Sequence, residues 1–328
     1  MSYLILGSTS FAGSSLIDYL LSQGEQVIGV SRSEEPHPVM QAYFNNPNKS
    51  AFTFYQYDLN KHFDALVELI HKQKPSHIID FAGQGMVAES WSDPTQWYMT
   101  NIIAKIKLHQ ILKDCDFLQR YVRVSTPEVY GNSPAAMKED TLLNPSTPYA
   151  VSHAAIDMSL LAFHKQYEFP VILTRFANFY GPHQQLYRIV PRTIIYGMTG
   201  KKLPLHGGGI SERMFIYAED VASGIHKAIE KAKIGQIYHF TTHPLISIRT
   251  LVEKICGSMN VEINSFVEIA EERAGKDNKY DMDATKSMTE LGWKPRYTLE
   301  QGLEKTVGWV RQHIDILQSL PLNYIHKP

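Results

Sequence analysis

Tyr3-Leu-Ile-Leu-Gly-Ser-Thr-Ser-Phe-Ala-Gly13, followed by Gln26-Val-Ile-Gly-Val30, decides the fold. Tyr3–Leu6 is a continuous apolar run, the pattern of a strand covered on both faces. An amphipathic helix is expected from about Ser14 to Ser22, and Gln26–Val30 reads as a second strand. Strand, glycine-bearing turn, helix, strand is the unit that sets a pyrophosphate on a helix N-terminus. Gly7 supplies the tight turn and Gly13 the close packing of helix on strand. Ser10 takes the middle position, where glycine is usual, and Phe11 follows it. These four residues are candidate cofactor contacts.

The same texture continues outward. Phe52–Tyr57, His77–Phe81, Tyr121–Ser125 and Val171–Arg175 read as further strands, with helical stretches between them. Alternation at this spacing predicts an α/β fold, a Rossmann-type doubly wound parallel sheet with right-handed crossovers. Ser31-Arg32-Ser33 ends the second strand, where an acidic residue would bond a ribose 2′-hydroxyl. Arginine with two serines favours NADP and leaves NAD possible. Asp58-Leu59 ends the third strand; the carboxylate either meets an adenine amino group or caps the helix expected from about Lys61 to Lys72. Ala82-Gly-Gln84-Gly85 is small enough for a cofactor to pass, and Asn101 lies on a helix expected from about Pro94.

Two later stretches carry reactive groups. Ser125-Thr-Pro-Glu-Val-Tyr-Gly131 follows the fifth strand, and a Pro-rich turn, Asn144–Pro148, releases a helix at Tyr149-Ala-Val-Ser-His153. Two hydroxyls, a carboxylate, a phenol and an imidazole then converge, a set able to move protons and a hydride. Beyond Ala177 the pattern loosens. Asn178–Pro182 reads as a turn, Ile189–Tyr196 as helical, Gly207–Gly209 as a flexible hairpin and Gly235–Phe240 as a strand. Residues 1–176 are therefore expected to bind NAD(P), and residues 177–328 to form a smaller α/β substrate-binding lobe, with about 214–242 returning to the first domain.

Composition narrows the function. The chain has 328 residues, a net charge of −1 and 44% hydrophobic residues, enough for a sizeable core and without a basic stripe for nucleic acid. Two cysteines lack metal spacing, so no metal is expected and a reducing compartment is. No apolar run reaches the roughly 18 residues of a membrane span. The apolar start lacks a basic segment and a cleavage site, so a cytoplasmic protein without membrane contact is expected.

The chain resembles the extended short-chain dehydrogenases/reductases, and within them the nucleotide-sugar 4,6-dehydratases. The carriers are Gly7–Gly13, Ser125–Gly131, Tyr149–Ser152, Ala177–His183, Arg213–Asp220, Arg273–Asp277 and Glu290–Pro295, in shared order over nearly the whole chain. The resemblance implies oxidation of a nucleotide-activated hexose at C4, water loss across C5–C6 and hydride return to C6. It implies Tyr149 as the base for the C4 hydroxyl, Thr126 as a hydrogen-bond partner of that oxygen, and Glu128 as the acid/base at C5. It also implies substrate contacts from Asn178, Arg188, Arg213, Asp277 and Asn278. Dimerisation through helices near residues 94–113 and 150–166, giving a homodimer or higher homo-oligomer, follows from the same likeness.

Two departures stand at the centre of the pattern. Pro127 occupies the place of an aspartate that protonates the departing C6 hydroxyl, and proline does no proton chemistry. His153 occupies the place of a lysine that lowers the tyrosine pKa and binds the nicotinamide ribose. Histidine, with an ordinary pKa near 6.5, is mostly neutral at pH 7. Alternatives on the same fold are a nucleotide-sugar epimerase, a 4-keto-sugar reductase or a catalytically impaired nucleotide-binding protein.

Overall fold

The computed structural model describes residues 2–132, 135–271 and 279–327. Its strands are β1 (Ser2–Leu6), β2 (Gln26–Ser31), β3 (Phe52–Gln56), β4 (His77–Asp80), β5 (Arg120–Ser125), β6 (Val171–Phe176), β7 (Asn178–Tyr180), β8 (Leu203–His206), β9 (Glu212–Arg213), β10 (Phe215–Tyr217), β11 (Ile237–Phe240), β12 (Ile246–Ser247) and β13 (Val267–Ala270). Seven of them form one parallel sheet in the order β11-β6-β5-β4-β1-β2-β3. This is the expected Rossmann-type, doubly wound arrangement. Chain order reverses beside β1, which pairs with both β2 and β4. A crevice opens at such a switch point, beyond the C-terminal strand ends.

The helices are α1 (Phe11–Ser22), α2 (Phe63–Gln73), α3 (Pro94–Tyr98), α4 (Ala104–Leu112), α5 (Pro148–Tyr167), α6 (Ile189–Thr199), α7 (Ala218–Lys231), α8 (Ile248–Met259), α9 (Thr285–Leu291) and α10 (Leu299–Leu317). Leu16, Leu20, Val221 and Ile225 bring α1 and α7 onto one face of the sheet. Leu66, Leu108, Ile156 and Leu160 bring α2, α4 and α5 onto the other. The near-complete burial of β1, β4, β5 and β6 follows from this double cover. A separate cluster joins α6, α8 and α10 through Ile194, Leu251, Ile255, Leu303 and Val310.

Several local expectations change. The first helix starts at Phe11 rather than Ser14, because Ser10 is its N-cap and accepts from the Gly13 N–H at 3.1 Å. The second begins at Phe63, two residues later than expected. Gly207–Gly209 is no hairpin: β8 runs parallel to β13, so its partner arrives only after α8. All three glycines there have positive φ and turn the chain sharply. Asn178–Tyr180, expected in a turn, is a strand paired with β10. β11 extends the main sheet beside β6.

Two stretches that carried the resemblance turn out to meet. Asp220 in the first turn of α7 accepts from the backbone N–H of Arg296 at 2.9 Å and of Tyr297 at 3.2 Å. Trp293 donates its indole N–H to the Asp220 carbonyl at 3.2 Å. These residues lock the segment after α9 onto α7. Among the described residues no helix is long and apolar enough to cross a membrane, and no group of His, Cys, Asp and Glu side chains is placed to hold a metal. Cys115 and Cys256 are both unpaired.

Candidate active site

The groove at the switch point is lined by Gly7, Ser10, Ser31, Arg32, Asp58, Leu59 and Ala82. The turn fits a dinucleotide. Gly7 has φ +80°, and a Cβ there would stand 2.8 Å from the Ala82 nitrogen. A Cβ on Gly13 would stand 2.5 Å from the Gly7 carbonyl oxygen. Bare backbone thus forms the floor, and the first-turn N–H groups of α1 face a ligand position. Ser31 braces this turn, its hydroxyl accepting from the Thr9 N–H at 3.0 Å. Phe11 is buried behind it, against Phe179. Asp58 Oδ1 accepts from the Asn60 N–H at 2.7 Å and the Lys61 N–H at 3.2 Å and so braces the turn ahead of α2, whose N-cap is His62 rather than the expected Asp58.

Gln84 and Asn101 are joined to each other. Asn101 is fully buried in a π-helical turn, Met99–Ile103, between α3 and α4. Its amide accepts from the Gln84 N–H at 2.8 Å and donates to the Gln84 carbonyl at 3.1 Å and to Ser152 Oγ at 2.9 Å. It therefore pins the loop after β4 to α5 and shapes the groove from behind. Gln84 is also buried and donates to the Lys327 carbonyl at 2.9 Å. That carbonyl also accepts from Arg32 Nη2 at 2.9 Å, while Lys327 Nζ donates to Ser33 Oγ at 3.0 Å. His326 stacks on Trp97 with ring centroids 5.5 Å apart. The segment around His326 thus lies along the groove's rim, a placement for which the sequence offers no periodic or motif signal.

Thr126, Glu128 and Tyr149 come together. Thr126 is the cap of a short turn over Pro127–Tyr130 and accepts from the Glu128 N–H at 3.3 Å. Pro127 fits as the first residue of that turn because an N–H at that position would have no partner within the turn, and proline lacks one. Thr147 caps α5 by accepting from the Ala150 N–H at 3.1 Å, with Pro148 in the first turn. Tyr149 then lies close enough to Thr126 and Glu128 for both to act on its hydroxyl. Burial, and next the Glu128 charge, push its pKa above the ordinary phenol value against the pull of Thr126, Arg123 and Arg188. Tyr149 is therefore a neutral phenol at rest. His153, one helical turn on, has its ring 4.5 Å from that of Tyr149.

Beneath these rings is a buried charge network that sequence reasoning missed. Arg123, on β5, places Nη2 3.0 Å from His153 Nδ1 and Nη1 3.4 Å from Asp80 Oδ2. Lys105 on α4 donates to Asp80 Oδ2 at 2.6 Å and also to the Ala82 carbonyl, and the Tyr121 hydroxyl donates to the same carboxylate at 2.9 Å. Burial alone would raise the Asp80 pKa, but the Lys105 and Arg123 charges outweigh it and hold it low. Burial, then Arg123, push Lys105 down to about 7. His153 is lowered well below its ordinary value by burial and then by Arg123, Lys105 and Arg175. The available signal was Arg123 itself, a charge inside the apolar run Tyr121–Ser125.

Asn178 and Arg188 are exposed, at the start of β7 and at the N-cap of α6. The Arg188 charge reaches Tyr149. Arg213 on β9 is buried, its guanidinium 4.4 Å above the Tyr280 ring and donating to the Glu212 carbonyl at 2.7 Å. Asp277 and Asn278 lie outside the described residues.

Comparison with known proteins places this geometry. Residues 4–306 match the family model described as GDP-mannose 4,6 dehydratase. A dTDP-glucose 4,6-dehydratase of Haemophilus influenzae is 28% identical over 333 residues, covering 94% of this chain and 97% of that protein. A trifunctional UDP-glucose 4,6-dehydratase/UDP-4-keto-6-deoxy-D-glucose 3,5-epimerase/UDP-4-keto-L-rhamnose-reductase of Arabidopsis thaliana is 31% identical over 274 residues, covering 82% of this chain. This chain spans only 41% of that longer protein's length. Among solved structures, dTDP-glucose 4,6-dehydratase from Bacillus anthracis in complex with NAD has a TM-score of 0.84 at 30% identity, covering 95% of this chain and 97% of that one.

Proposed function

This chain belongs to the GDP-mannose 4,6-dehydratase family, within the short-chain dehydrogenases/reductases, and on that premise we propose that it is an NAD(P)-dependent nucleotide-sugar 4,6-dehydratase. The observation that carries the reading is the convergence of Thr126, Glu128 and Tyr149 beyond the end of β5. When bound, the nicotinamide supplies the hydride acceptor and later the donor. The chain's own residues do the rest. Thr126 holds the C4 oxygen, Tyr149 takes its proton, and Glu128 removes the C5 proton that the C4 ketone acidifies. Pro127 has no proton to give, so Glu128 also serves the departing C6 hydroxyl. Asn178 orients the sugar, and Arg188 and Arg213 bind the diphosphate by charge-assisted hydrogen bonds. Asp277 and Asn278 are assigned nucleotide contacts by the resemblance alone. In this reading residues 1–176 bind the cofactor and 177–328 mainly the nucleotide sugar, with about 214–242 serving the first domain.

The test is a panel of nucleotide-hexoses incubated with NAD or NADP and read by mass spectrometry. Loss of one water from a panel member supports the dehydratase. A second reading, a 4-keto-sugar reductase, draws on the neutral Tyr149, which suits a proton donor. Reduction of 4-keto sugars without dehydration of any hexose would establish that reading instead.

Cofactor choice is part of the proposal. The adenosine end of the groove sets Arg32, Lys61 and Lys327 beside Glu34, Glu35 and Asp58, so the case for a 2′-phosphate rests on Arg32 and Ser33 themselves. The B. anthracis structure holds NAD, so the preference must be measured here. Arg32→Asp should weaken NADP binding by roughly tenfold to a hundredfold, the worth of one charged hydrogen bond, and leave NAD binding nearly unchanged. Equal loss for both dinucleotides in a fluorescence titration would remove Arg32 from that role. The reading extends to a cytoplasmic homodimer or higher homo-oligomer joined through α4 and α5. Exposed Ile103, Met158 and Tyr167, at and on these helices, support that interface.

A further inference from the structure

We propose that Arg123 is a positioning residue that fixes His153 as a neutral imidazole carrying its single proton on Nε2. A guanidinium only donates, and it stays charged at every relevant pH. With Nη2 3.0 Å from His153 Nδ1, that nitrogen must accept. The ring proton is then on Nε2, and a second proton would set a cation against a cation where both residues are at least nine-tenths buried.

The arginine is itself immobilised. β5 pairs it with Asp80 on one side and Leu173 on the other. Its Nη1 donates to the Asp80 carbonyl at 3.3 Å, and its own carbonyl accepts from Thr174 Oγ1 at 3.2 Å. Every element packed around the imidazole contributes a charge or a titratable group. β4 brings Asp80, α4 Lys105 and β6 Arg175; α5 adds Tyr149 and Asp157, and Glu128 lies on the Tyr149 side. Asp80 is shared between Lys105 and Arg123, while Asp157 pairs with Arg175 at 2.8 Å. Lys105, Arg123 and Arg175 thus face Asp80, Asp157 and, on the Tyr149 side, Glu128, and the charge within hydrogen-bond reach of His153 is the Arg123 guanidinium.

This gives the histidine a meaning that its position alone does not. The fixed charge that the resemblance expects on α5 is carried here by the neighbouring strand. The imidazole between Arg123 and Tyr149 is a donor of one defined N–H and is unable to take the charge itself. Arg123 is one of the groups drawing the Tyr149 pKa downward. The consequence for turnover rests on the dehydratase reading; the tautomer does not.

The test is nitrogen-15 NMR of the imidazoles in the full chain, with His153→Gln identifying its signals, beside Arg123→Gln and Arg123→Leu. Expected in the unsubstituted protein is an unprotonated Nδ1 and a protonated Nε2, unchanged between about pH 5 and 8. Both Arg123 variants should raise the His153 pKa by more than about one unit, and Arg123→Gln, which keeps an amide donor, guards against loss of folding. A histidine that titrates normally in the unsubstituted chain, or a tautomer and pKa indifferent to both variants, would overturn the proposal. A pH profile of turnover adds a second readout. His153→Lys alone sets two cations together and should be at least about tenfold slower than the pair Arg123→Leu/His153→Lys, in which the charge is relocated to α5. The pair being no faster than the single variant would contradict the relocated charge. If no sugar is turned over while NMR gives the stated tautomer, the functional reading fails and this one stands.

Discussion

Tyr149→Phe should lower kcat on the nucleotide-hexose by roughly 10²–10⁴-fold, the worth of a positioned acid/base group. The phenol ring stays, so packing against His153 and the cap of α5 by Thr147 remain. Only the hydroxyl is lost. Cofactor affinity and thermal midpoint should therefore change little, which separates a chemical defect from a structural one. The sign of the pH dependence follows from the raised Tyr149 pKa. A base must be deprotonated, and burial with the Glu128 charge keeps the proton on through neutral pH. The unsubstituted enzyme should accelerate as pH rises through the alkaline range, and Tyr149→Phe should flatten that limb. A limb that survives the substitution would assign it to another group.

Glu128→Gln should cost as much or more, toward the top of roughly 10²–10⁴-fold, because two proton movements depend on one carboxylate. Glutamine keeps the size and the backbone N–H bonded to Thr126. Pro127 beside it offers no substitute acid. The variant should still oxidise C4 but stall before water leaves. In deuterated solvent the sugar's C5 hydrogen should then remain unexchanged, whereas the unsubstituted enzyme exchanges it during turnover. Water loss at an undiminished rate in the variant would remove Glu128 from the elimination.

The fold was legible because its signals are local or periodic. Apolar runs such as Tyr3–Leu6 mark strands covered on both faces, and Gly7 and Gly13 mark a turn too tight for side chains. Ser10 looked like a defect in the glycine pattern and is a helix cap. What escaped was non-local. Gly207–Gly209 resembles a hairpin in a short window, yet β8 finds its parallel partner beyond α8. Arg123, Lys105 and Asp80 come from three elements, so sequence exposes each charge but not their meeting. Asn101 braces Gln84 from a fully buried position, a contact that only the folded chain shows. The segment around His326 has no pattern to read, although its carbonyls and rings touch Arg32, Gln84 and Trp97.

The most direct measurement uses a nucleotide-hexose carrying deuterium at C4. Expected is a product lighter by one water, with the deuterium recovered at C6, as internal return of the hydride requires. Deuterium still at C4, or a product that has lost no water, would contradict a 4,6-dehydratase.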